Sequence, residues 1–167
     1  MVANEPIVDI RNIADVGPMK RSVALSLAFV GAALPGTVSA QLTGEKNISG
    51  CILVGRAGAQ VNAEGRLTLR HMSGPPNFES IRGGDEDRLT LILVLPVAVC
   101  INDGGDFAKP KLKFATVHVF TLDPAIDKKL RRLVGRRVRV SGDGNAQNNG
   151  LQYAPLVLEA KSVTASK

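Results

Sequence analysis

His71 and the acidic trio Asp85, Glu86 and Asp87 are the residues of this chain whose types suit acid–base chemistry. A carboxylate beside an imidazole orients the ring and favours its charged form, which is what a small hydrolase would use. The usual companions are missing, because the sequence has no GxSxG, no HExxH and no P-loop. A small hydrolase using His71 with Asp85, Glu86 and Asp87 is therefore the alternative reading, not the leading one. The trio also lacks the ligand spacing of a calcium loop. Two Cys and two His cannot complete a four-ligand zinc site without carboxylates. No metal and no cofactor is expected.

A second candidate is the loop Pro75, Pro76, Asn77, Phe78 and Glu79. Two prolines stiffen it and Asn77 tolerates turn geometry. Phe78 is either presented at the tip, where it would meet a ligand or partner, or folded back to close the end of the core. The third candidate is a basic patch. Between Ala125 and Arg139 stand Lys128, Lys129, Arg131, Arg132, Arg136, Arg137 and Arg139 against a single acid, Asp127. Such a patch suits nucleic acid, anionic lipid or an acidic protein surface, and it equally suits a solvated helix face.

Composition narrows these choices. The chain has 167 residues and 21 Lys+Arg against 15 Asp+Glu, a formal net charge of +6. Three bases (Arg11, Lys20, Arg21) and three acids (Glu5, Asp9, Asp15) precede residue 41, so residues 41–167 keep the whole excess, and the basic patch accounts for it. Aromatic residues make up only 4%, with no Trp. Barrels that bind oligonucleotides rely on aromatic platforms, so no nucleic-acid partner is expected.

The address is read from Met19. Met19-Lys20-Arg21-Ser22 is followed by an uncharged stretch to Leu34 and then by Pro35-Gly36-Thr37-Val38-Ser39-Ala40. A basic start, a short apolar run and small terminal residues describe a signal peptide cleaved after Ala40. Residues 1–18 read as an upstream start-site extension. The segment Ile48-Ser49-Gly50-Cys51 has the look of a lipobox, but Glu45 and Lys46 separate it from the apolar run. The expectation is a periplasmic or secreted protein with no stable membrane anchor after cleavage. In an oxidising compartment Cys51 and Cys100 most simply pair with each other.

These residues need elements to position them. Residues 61–71, 89–101, 115–120, 137–140 and 156–163 have strand character, and the apolar run 89–101 reads as a central strand buried on both faces. Asp123 is a good N-cap, Pro124 fits the first helical position and Gly135 suits the stop. Ile126, Leu130, Leu133 and Val134 give that helix one apolar face. The sequence is therefore mainly β. Three strands, a helix and two strands is the order of a small five-stranded OB-like Greek-key barrel with its helix between strands 3 and 4. Residues 41–167 form that single domain, and the loops 73–88 and 142–150 would border its binding face.

Gly74-Pro75-Pro76-Asn77-Phe78-Glu79-Ser80-Ile81, Gly84-Asp85, and the run from Leu93 through Leu95-Pro96-Val97 to Val99-Cys100 carry a resemblance. Gly135-Arg136-Arg137-Val138, Val140, Gly142 and Tyr153-Ala154-Pro155-Leu156-Val157-Leu158 extend it. The chain resembles the bacterial domain-of-unknown-function family numbered 4431 over residues 51–163. The resemblance implies a small exported bacterial protein, and Cys51 stands where that family often has its first cysteine. It implies no established activity. The family's loop before the last strand is often rich in histidine, whereas residues 144–150 here contain none, so no metal role carries over. Gly83-Gly84-Asp85-Glu86-Asp87 resembles the GGDEF signature of diguanylate cyclases only in part: Asp replaces Phe, and no α/β domain surrounds it. The leading expectation is a non-enzymatic, exported module that binds a small ligand or an envelope protein.

Overall fold

Period-two alternation becomes strand throughout the computed structural model, which describes residues 42–44, 50–55, 60–105 and 107–167. The leader and the extension expected over residues 1–40 lie outside these. Among the described residues the elements run β1 (Ile52–Leu53), β2 (Gln60–Ser73), β3 (Asp87–Val99), β4 (Ile101–Asn102), β5 (Phe114–Phe120), α1 (Pro124–Arg132), β6 (Arg137–Ala146) and β7 (Leu156–Ala165). The protein is mainly β with one helix, as expected. The two-residue strands β1 and β4 pair in parallel beside the main sheet.

The five long strands are hydrogen-bonded in the order β2-β3-β5-β7-β6, and β6 returns to β2. Closure depends on β2, which pairs with β6 over residues 60–66 and with β3 over residues 66–73. Gly65 sits at the changeover, where a Cβ would lie 2.3 Å from the carbonyl oxygen of Val94. Only glycine fits such an approach. Leu67, Leu93, Val117, Val138 and Leu158 turn inward from successive strands and form one core. Leu130 of α1 is fully buried in the same core. The helix begins as expected: the Asp123 carboxylate accepts from the N–H of Ala125 at 2.7 Å, and Pro124 follows. Gly135 ends the segment with φ at 84°.

Two expectations need correction. The strand expected over 137–140 continues to Ala146, taking up half of the loop expected over 142–150. Gly142 and Gly144 look like turn residues, yet they are strand residues under close packing. A Cβ on Gly142 would lie 1.9 Å from the oxygen of Glu159, and one on Gly144 would lie 2.6 Å from the Val61 side chain. The run 89–101 is likewise not one strand buried on both faces. Its buried part is Thr90 to Leu95, Val97 is 62% exposed, and the ladder breaks at Cys100.

Cys51 and Cys100 form a disulfide across a sequence separation of 49. It ties the segment carrying β1 to the end of β3. By the chain-entropy model this crosslink is worth about 4 kcal/mol. Thiol titration of denatured, unreduced protein should find no free thiol, and reduction should lower the unfolding free energy by about that amount. Gly142→Ala should cost about 3 kcal/mol in urea unfolding, since backbone must shift to admit the methyl.

Candidate functional site

The loop between β2 and β3 is built around one buried carboxylate. Asp85 is 7% exposed. It accepts backbone N–H groups from Asn77 at 2.9 Å, Glu79 at 2.7 Å and Ser80 at 2.8 Å. The bonds from Ser80 and Asn77 hold its pKa below the ordinary carboxylate value, and they outweigh burial, which acts in the opposite sense. At the base of the loop the N–H of Gly74 meets the oxygen of Glu86 at 2.7 Å, and the N–H of Glu86 meets that of Pro75 at 2.8 Å. The five residues singled out in sequence, Pro75, Pro76, Asn77, Phe78 and Glu79, are therefore exposed on a fixed scaffold.

Phe78 does not enter the core. It stands at φ 62°, is 39% exposed and lies against Gly150, where a Cβ would come within 3.2 Å of its ring. The β2–β3 loop and the β6–β7 loop thus touch through one aromatic ring and one glycine.

The acidic trio does not act together. Asp85 is taken up by its own loop, Glu86 binds Arg88 at 3.0 Å, and Asp87 meets His71 Nδ1 at 2.8 Å. The His71 and Asp87 side chains are 64% and 45% exposed. Among the described residues no hydroxyl or thiol bonds to the His71 ring, and no three His, Cys, Asp or Glu side chains gather as metal ligands.

The basic patch divides as well. Arg137 and Arg139 reach the buried carboxylate of Glu64 at 3.1 and 2.9 Å, so two of its seven bases neutralise one internal charge. Arg131 binds Asp127 at 2.8 Å, one turn away on α1. Lys128, Lys129, Arg132 and Arg136 remain exposed, with no ion pair among the described residues.

One feature had no local signal in the sequence. A groove of about 540 Å³ runs between the start of β3 and α1, lined by Leu89, Phe120, Asp127, Arg131, His118 and Tyr153 among others. His118 is partly buried, which pushes its pKa below the ordinary value and keeps the ring neutral near pH 7. Its Nδ1 accepts the N–H of Tyr153 at 3.4 Å, and the two rings lie 5.7 Å apart. The Tyr153 hydroxyl is buried, with no hydrogen-bond partner among the described residues. Chemically this is a binding surface with apolar patches and paired charges, and it lacks a nucleophile–base pair.

Comparisons with protein-family models, with curated proteins and with solved structures return no match to this chain.

The Asp85 carboxylate gives a pH test. Its pKa is lowered on folding, so its stabilisation is fully present above the unfolded value near 4 and is lost as pH falls through the folded value. Asp85→Asn should lose that pH dependence. It should also speed amide exchange at Asn77, Glu79 and Ser80 at neutral pH, as read by hydrogen-exchange NMR.

Proposed function

We propose that the protein is an exported, non-enzymatic binding module that takes a small ligand or an envelope protein at one rim of an OB-like Greek-key barrel. The observation that carries this reading is the junction of its two long loops. Phe78 rests half-exposed on Gly150, and the loop that presents it is held from within by Asp85. A loop organised before binding loses little entropy on contact, which is the physical requirement for recognition.

The strand order supports the barrel assignment. The first long strand pairs with both the second and the fourth, and the third runs parallel to the fifth. In an OB-fold the loops bordering the binding face are those between strands 1 and 2 and between strands 4 and 5. Here these are the two loops that meet at Phe78 and Gly150. Membership of the exported family numbered 4431 belongs to the same proposal. The disulfide fits a periplasmic or secreted location, since such bonds persist in oxidising compartments. No helix among the described residues is long and apolar enough to cross a membrane.

A hydrolase keeps one observation in its favour, the His71–Asp87 contact. An exposed pair with no hydroxyl or thiol on the ring among the described residues gives it nothing to activate. Anionic binding through α1 is the other reading, and it requires affinity that falls steeply with salt.

Native mass spectrometry of protein recovered after export should show a retained ligand or partner, and Phe78→Ala should lose most of it. A clean apo mass in both proteins, with nothing co-purifying, would overturn the reading. Unchanged turnover of ester and phosphate substrates in His71→Ala would dispose of the hydrolase.

A further inference from the structure

The groove beside α1 has a feature that goes beyond a generic binding surface. Its β3 wall is an open sheet edge. On one side Asp87, Arg88, Leu89 and Thr90 pair with Ser73, Met72, His71 and Arg70 of β2. On the other side the ladder with β5 starts only at Leu91, opposite Val119. Among the described residues no strand covers β3 ahead of that point. An open edge leaves backbone N–H and C=O groups ready to pair with another chain, and folded proteins usually block such edges. Here the flanking surface is apolar: Leu89 is 53% exposed, Leu151 43% and Phe120 36%, and all three line the groove.

Charge indicates what enters. The groove's own ionic side chains are matched pairwise, Glu86 with Arg88, Asp87 with His71, and Asp127 with Arg131. On α1 the stripe next to Asp127 and Arg131 is Lys128 and Arg132, both exposed and without an ion pair among the described residues. The unbalanced charge beside the edge is thus positive.

Resting on the binding-module reading, we propose that this groove takes an extended acidic segment of a partner protein, added as a strand to the β3 edge over Asp87–Thr90. Main-chain hydrogen bonds to β3 supply the affinity. Alternate side chains of an added strand point in opposite directions, so an apolar–acidic repeat suits the site. Its apolar members cover Leu89, Phe120 and Leu151, and its acidic members meet Lys128 and Arg132.

The probe is a capped hexapeptide of alternating Val and Glu, added to isotopically labelled protein recovered after export of the full chain. Amide shifts should appear at Arg88, Leu89 and Thr90. Of two versions N-methylated at the Val or at the Glu positions, one should bind about tenfold more weakly, because it cannot donate to β3. Replacing Glu by Lys in the peptide should weaken binding about tenfold, and Arg132→Glu in the protein about fivefold. Arg132 is exposed on α1, so that variant should fold normally.

Absence of binding at millimolar peptide overturns the proposal. So does equal binding of both methylated peptides, or shifts confined to residues 75–79. Concentration-dependent dimerisation with protection of the β3 amides would assign the edge to a second copy, and it overturns the proposal as well. A partner retained through Phe78, with β3 unmoved by the peptide, would leave the binding-module reading standing and remove this one alone.

Discussion

Gly65 is where the ring is made or lost. A strand that must pair with β6 along half its length and with β3 along the rest has to bend sharply. At the bend the Val94 carbonyl sits 2.3 Å from where a Cβ would stand. Side-chain volume there would push β3 off β2, and the ladders downstream of both would lose register. Gly142 makes the matching approach between β6 and β7. The core of Leu67, Leu93, Val117, Val138 and Leu158 forms because these backbones come close enough to enclose it.

The same closeness sets the electrostatics. Glu64 is held on β2 next to Gly65, where it is nearly buried. A lone carboxylate there would be costly, and removing either partner of a buried pair generally destabilises strongly. Arg137 and Arg139 of the neighbouring β6 meet it from two positions of the same ladder. Register and charge pairing therefore reinforce each other. A one-residue slip of β6 would turn both arginines to the other face.

How much of this was legible in the sequence depends on how local each determinant is. Asp123, Pro124 and Gly135 act within a few residues of themselves, so the helix could be read directly. The pairing of Cys51 with Cys100 followed from compartment chemistry and from there being two cysteines. Gly142 and Gly144 misled because a glycine demanded by a contact across the sheet has the same letter as one demanded by a turn. Glu64 and Arg139 stand 75 residues apart, and Leu89 and Tyr153 share a groove that only the closed ring brings into being. The trio Asp85, Glu86 and Asp87 was visible as a cluster. Strand alternation and the turn at its start send the three side chains to three different partners.

The burial of Leu130 has a consequence for the groove beside α1. One wall of that groove is the helix, and the helix cannot move outward without drawing Leu130 from the core. Its other wall is a two-stranded ribbon that runs on past the last β5 pair and is free to twist. The groove therefore resembles a vice with one fixed jaw and one sprung jaw. Whatever lies in it is gauged by thickness, and adjustment to fit comes from β2 and β3 alone.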